Sequence, residues 1–206
     1  NFQQGFANIT VPSVLTTLVS DELDFPNLSM VGVDDRAAAY TAVDYLIRQG
    51  HRKIAVLGGP VTSYPSLMRR QGAQQAMEDA GIVFNDKLYG LSNYDFESAY
   101  HAMNSLLARR AEFTALFAMS DVIAFGAIRA LVSAGLRVPD DVSVIGFDGI
   151  TMSRYCVPVM TTIVQPSEQI ALQSIELLVR QIEHGSPAQT VTLQPELQQG
   201  ESVRAI

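Results

Sequence analysis

The chain has 206 residues, a formal net charge of −7 and 48% hydrophobic residues. That composition supports a buried core and excludes a disordered chain. Its acidity argues against nucleic-acid binding by these residues alone, which needs clustered Lys and Arg.

No apolar run approaches the roughly 18 residues of a membrane span. The single cysteine, Cys156, rules out an internal disulfide and suits a reducing compartment. The opening residues, NFQQGFANIT, show no basic segment followed by a long apolar one, so no secretory signal is read there. Without an initial Met, the chain reads as a fragment.

Short β-rich runs alternate with helical patterns. Residues 12–18 (PSVLTTL) and 28–33 (LSMVGV) read as strands. Residues 35–51 read as a helix. Ala38, Ala39, Ala42, Val43, Leu46 and Ile47 recur at helical spacing, Asp34 or Asp35 caps the start, and Gly50 ends it. A strand at 53–59 (KIAVLGG) precedes a helix at 65–81 closed by Gly81. A short strand at 88–91 precedes a helix at 95–110. A strand at 114–120 leads into a helix at 121–135, and a strand at 142–147 follows. A long amphipathic helix at 167–184 and two short strands near 189–193 and 196–199 complete the reading.

Strands that are apolar throughout, each followed by a helix, imply an α/β chain whose parallel sheets are covered on both faces. In such sheets ligands bind outside the carboxyl ends of the strands. The sequence places Asp34 and Asp35 there (GVDD), Gly58 and Gly59 (LGGP), Ser120 and Asp121 (AMSD), and Asp148 (VIGFDG). A carboxylate such as Asp148 accepts hydrogen bonds from paired hydroxyls or a ring N–H; the plainer alternative is a turn or cap acid. Catalysis finds little support. There is no G-x-S-x-G, G-x-x-x-x-G-K-[ST] or H-E-x-x-H, and His51, His101 and His184 are far apart. No cofactor is implied, and the acids are too scattered to name a metal site. The chain is read as a binding protein and not an enzyme.

Four segments, in order and spacing, resemble the lactose-repressor (LacI/GalR) family of bacterial transcription regulators. They are D-D-R at 34–36 before a helix, G-H-R-K-I-A at 50–55, V-P-D-D-V-S-V-I-G-F-D at 138–148 and T-T-I-V-Q-P at 161–166. The resemblance covers nearly the whole chain. It implies two Rossmann-like subdomains of periplasmic-binding-protein-like type. Residues 1–48 and 166–194 would form a partial N-terminal subdomain, and 49–165 with 195–206 the C-terminal one. The first crossing would lie in the helix after Asp35. The family's DNA-binding headpiece and first βα units are absent from this chain. Gly149 stands where the family commonly has Asp or Asn, and Gly200 where Arg is usual.

The resemblance implies a cytoplasmic regulator domain that binds a small polar ligand, forms a homodimer and reaches operator DNA only through a headpiece, with no membrane partner. Arg69 matches the family's ligand-binding arginine, while Arg70 reads as solvated. Tyr94 falls where an aromatic often lies against the ligand ring, with Phe96 as its neighbour alternative. Ser120 stands where Asn is frequent, and Asp121 reads as the cap of its own helix. Gln165 sits at a crossover, Tyr64 in the loop before Arg69, and Asp35 either lines the cleft or caps a helix. The helix at 121–135 and residues 150–159, with Met152, Tyr155 and Cys156, match the dimer surface. Asp148, Arg69 and Gln165 with one aromatic favour a sugar or sugar derivative over a purine base, which would want two flanking aromatics. The alternative is a periplasmic sugar-binding protein serving an ABC transporter.

Overall fold

The apolar runs become strands, and most lie where the spacing predicts. In the computed structural model, which describes residues 6, 8–110 and 112–206, the elements in chain order are β1 (Ser13–Thr16), β2 (Leu28–Val33), α1 (Asp35–Arg48), β3 (Ile54–Gly58), α2 (Tyr64–Asp79), β4 (Tyr89–Leu91), α3 (Phe96–Ala108), β5 (Ala115–Ala118), α4 (Asp121–Ser133), β6 (Ser143–Asp148), β7 (Thr161–Val164), α5 (Ser167–His184), β8 (Thr190–Leu193) and β9 (Glu196–Gln198). Strand β7 is an addition to the sequence reading. Its TTIV run is short and half polar, so periodicity gives it no clear signal.

The chain divides into two units, residues 1–34 with 165–195 and residues 35–164 with 196–206. In the first, β1, β2 and β8 form a parallel sheet in the order β1-β2-β8. Helix α5 lays Ile170 and Leu177 against Val31 and Val33 of that sheet. Gly185, in the left-handed conformation at φ 60°, ends α5.

The second unit is a six-stranded sheet in the order β4-β3-β5-β6-β7-β9, parallel except for β9, which runs antiparallel to β7. Strands β3 and β5 are buried along their whole length, and β6 is buried as far as Phe147. That is the reason they read as unbroken apolar runs. Helix α1 packs on α2, and α3 on α4.

The boundary expected at residue 48 is corrected here. Ala38, Ala39, Ala42, Val43 and Leu46 of α1 belong to the large core of the second unit. Burial of that stripe, and not its place in the sequence after β2, decides where α1 goes. The first crossing therefore precedes Asp35.

Candidate functional site

The sheet of the second unit reverses its winding between β3 and β5. From β3 the chain passes to β4 on one side and then to β5 on the other. The carboxyl ends of the strands at such a point are where open α/β sheets bind ligands.

Arg69 lies on the buried stripe of α2, with Ser66, Ala73 and Ala76. Its Nε donates to Asp35 Oδ1 at 2.7 Å and its Nη1 to the Met119 carbonyl at 2.5 Å. Nη1 also stands 3.6 Å from Asp148 Oδ1. The guanidinium plane covers the Phe147 ring, 3.7 Å from its centroid. Planarity, forked donors and stacking are used together, a combination that Lys cannot reproduce. Arg70, one position on, is half-buried over the Tyr89 ring at 4.5 Å and meets Asp86 at 3.3 Å.

Asp148 closes β6 with φ at 112°, and Gly149 follows at φ 72°. A non-glycine residue in that region carries strain of about 1–3 kcal/mol, held by its surroundings. Its side chain keeps 27% exposure, while Arg69 and Asp35 are nearly sealed. Asp148 is thus the open member of the Asp35–Arg69–Asp148 chain.

Tyr94 also has positive φ, at 60°. Its ring lies on Gly59, where a Cβ would stand 2.1 Å from the ring edge, so that position requires glycine. Tyr94 Oη is buried and makes no hydrogen bond among the described residues. Phe96, the alternative aromatic, opens α3 and is 47% exposed. Tyr64 is the half-buried first residue of α2, about 140° around the helix from Arg69 at roughly 100° per residue. Gln165 begins the return to the first unit, and its carbonyl accepts the Ser167 N–H at 2.8 Å.

Ser120, buried, is the N-cap of α4: the Ile123 N–H donates to its Oγ at 3.1 Å. Asp121 is therefore not the cap, contrary to the sequence reading. It is fully buried, accepts the Thr162 hydroxyl at 2.6 Å and the Ile150 N–H at 2.8 Å. Burial pushes its carboxyl up to about 6, opposed by those two bonds and helped by the nearby Asp148 charge. Sequence reasoning missed Met119, Phe147 and Thr162. A backbone carbonyl leaves no sequence signal, and the other two are visible only as members of the GFD and TTI motifs.

Met152 and Tyr155 stand 60% and 77% exposed around a short helical turn at Thr151–Arg154. Cys156 Sγ lies 3.3 Å and 3.2 Å from the carbonyls of Ser153 and Pro158, and burial raises its thiol pKa, which keeps it protonated. A hollow of about 370 Å³ lined by Lys53, Ile54, Met77 and Glu112 opens at the amino end of β3, away from this constellation. Among the described residues no helix is long and apolar enough to cross a membrane.

Winding, switch point and the acids at the strand ends are those of a periplasmic binding protein-like domain. That family matches residues 43–203, and the chain belongs to it. The HTH-type transcriptional repressor PurR of Histophilus somni is 36% identical over 181 residues, which are 87% of this chain and 54% of PurR. The HTH-type transcriptional regulator MalR of Clostridium butyricum is 36% identical over 201 residues, 97% of this chain and 60% of MalR. A solved complex of the transcriptional regulator CelR with cellobiose superposes with a TM-score of 0.82 at 33% identity, covering 87% of this chain and 56% of that one. The chain thus spans little more than half the length of the relatives it matches, and they are regulators of the LacI type read from the four motifs.

Proposed function

We propose that this chain is the effector-binding and dimerising part of a LacI-type regulator, acting in the cytoplasm, and that its ligand is a small polyhydroxylated molecule, a sugar or close derivative. The observation that carries the reading is Asp148, held open at the switch point beside a braced arginine, with Tyr94 lying on Gly59 past the end of β3 on the same sheet. A carboxylate and an aromatic face are what a sugar's hydroxyls and C–H surface need. The similarity to CelR, solved with cellobiose, supports the same class. The site residues proposed are Asp148, Arg69 and Tyr94, with Ser120, Gln165, Tyr64 and Asp35 around them.

The ligand biases the hinge formed by the three chain crossings near residues 34, 165 and 195. Such a bias requires different affinity for two hinge states, typically about 1–3 kcal/mol. In the intact regulator it repositions headpieces on an operator. A second copy of the chain is the proposed partner at Met152, Tyr155 and Cys156. The transporter reading is weaker, because the relatives matched are DNA-binding regulators. The regulators also give no reason to assign an enzymatic activity.

Calorimetry of the chain against D-ribose, D-galactose, cellobiose, hypoxanthine and adenine tests the ligand class. Binding of a sugar that weakens about 10- to 150-fold in Asp148→Ala is the expected result, from the loss of hydrogen bonds to a charged acceptor. Tight nucleobase binding with no sugar response, or a sugar affinity indifferent to Asp148→Ala, overturns the assignment.

A further inference from the structure

Asp121 is buried completely, yet it neither caps its own helix nor reaches solvent where a ligand would touch it. Its carboxylate turns away from α4 toward the neighbouring strands. Thr162 Oγ1, on β7, donates to Oδ1 at 2.6 Å. The Ile150 N–H donates to Oδ2 at 2.8 Å, and the Gly149 N–H adds to the same anion. On β6, the Gly146 Cα faces the carboxylate, and a Cβ there would stand 2.2 Å from Oδ1. One buried anion thus spans the carboxyl ends of β5, β6 and β7. Its backbone donors are the two residues that follow Asp148, the one acid of the site held at φ 112°.

We propose that Asp121 is a positioning residue: it holds the Asp148–Gly149–Ile150 turn and so sets the direction in which Asp148 presents its carboxylate to ligand. This rests on the ligand reading of Asp148. A buried carboxylate is costly to leave unpaired; among the described residues no cation stands against Asp121, and its donors are the Thr162 hydroxyl and turn N–H groups. The first turn of α4, with its exposed N–H dipoles, is a place where a negative charge is tolerated. Asp148, Arg69 beside it and the Cys156 thiol are the titratable or charged groups around it.

The test compares Asp121→Ala, Asp121→Asn, Ile150→Pro and Asp148→Ala in the 206-residue chain. Ile150 has φ −64°, which proline fits, so that variant deletes the donated N–H and leaves Asp121 in place. One readout needs no ligand: amide exchange and chemical shift of Gly149 by NMR. The other is calorimetry with the sugars named above. Asp121→Ala and Ile150→Pro are expected to speed Gly149 exchange and to weaken sugar binding about tenfold or more. Asp121→Asn, whose carbonyl still accepts from Ile150 and whose amide donates to Thr162, is expected to restore both to within about threefold.

Unchanged Gly149 exchange and unchanged affinity in Ile150→Pro and Asp121→Ala, with Asp148→Ala weakened, overturns the positioning role and leaves the ligand reading intact. Unchanged affinity in Asp148→Ala removes the ligand reading, and the exchange data alone then decide whether Asp121 holds the turn. If Asp121→Ala fails to fold, Ile150→Pro carries the same decision.

Discussion

Arg69 Nε lies 2.7 Å from Asp35 Oδ1, and both side chains are more than nine-tenths buried. The pair ties the first residue of α1 to the middle of α2 and fixes the guanidinium under Asp148. Asp35→Ala leaves that cation buried against the Met119 carbonyl, the Phe147 ring and the more distant Asp148, without its close carboxylate. Breaking a buried pair from one side costs about 3–5 kcal/mol. A lower urea midpoint at unchanged slope is expected. Arg69→Met combined with Asp35→Leu should recover much of that stability while removing the proposed sugar binding. Full stability in Asp35→Ala alone would show the pair to be incidental.

The proposed sugar site should discriminate by charge. The guanidinium at the site already serves Asp35, the Met119 carbonyl and Asp148. An added phosphate on the ligand finds that guanidinium already engaged and the Asp148 carboxylate beside it. A sugar phosphate is expected to bind at least about tenfold more weakly than its parent sugar, with the gap narrowing as salt rises. Equal or tighter binding of the phosphate by calorimetry would contradict this charge argument.

Gly146 and Asp121 should be coupled. Gly146→Ala drives a methyl toward the Asp121 carboxylate, 2.2 Å away. Overpacking of this kind costs about 1–3 kcal/mol. In an Asp121→Ala background the methyl has room, so the same substitution should cost clearly less. Strict additivity in the double-mutant cycle would mean that the two do not meet.

Two buried groups pull the pH profile in opposite directions. Asp121 titrates near 6 in the fold against 3.8 when unfolded, so between those values the folded chain holds more protons and stability falls as pH rises. A shift of that size corresponds to about 3 kcal/mol at most. His51 is buried between Thr114 Oγ1 at 2.9 Å and the Arg204 carbonyl at 3.1 Å, and burial lowers its pKa. The unfolded chain then binds more protons below the ordinary histidine value of 6.5, so this contribution is lost as pH falls. Asp121→Asn removes the first effect only. Its urea midpoint should exceed that of the parent at pH 7 and draw level near pH 4. Parallel profiles for the two chains would contradict the raised Asp121.

Tyr155, 77% exposed next to Met152, tests the proposed self-association. Tyr155→Asp places a charge in an apolar contact and is expected to shift the chain toward monomer in sedimentation at tens of micromolar, well above a weak-micromolar dissociation constant. A parent chain that is monomeric at that concentration would count against the dimer surface.

Much of the fold was legible because the buried parallel strands leave few options. VLG before Gly59, ALFA and SVIGF are buried on both faces, and the first two are followed by a helical stripe ended by glycine or turn residues. Asp148 and Ser120 were legible for the same reason, as polar residues at the ends of such runs. The short half-polar β7 and the place of α1 were not. A strand of that kind gains its identity from its neighbours β6 and β9, and α1 from the core that its alanines fill.

By itself the sequence determined the alternation of strands and helices, the parallel sheet, and the set of polar residues at the strand ends. These follow from local periodicity and glycine placement, which act over a few residues. Only the tertiary structure decided how those polar residues pair. It put Arg69 between Asp35 and Asp148, made Ser120 the cap in place of Asp121, and sent the Asp121 carboxylate across Gly146 to Ile150 and Thr162. The physical reason is that a buried charge must find its partners in three dimensions, and here they come from α1, β6 and β7, which are distant in the chain and adjacent only after the sheet has formed.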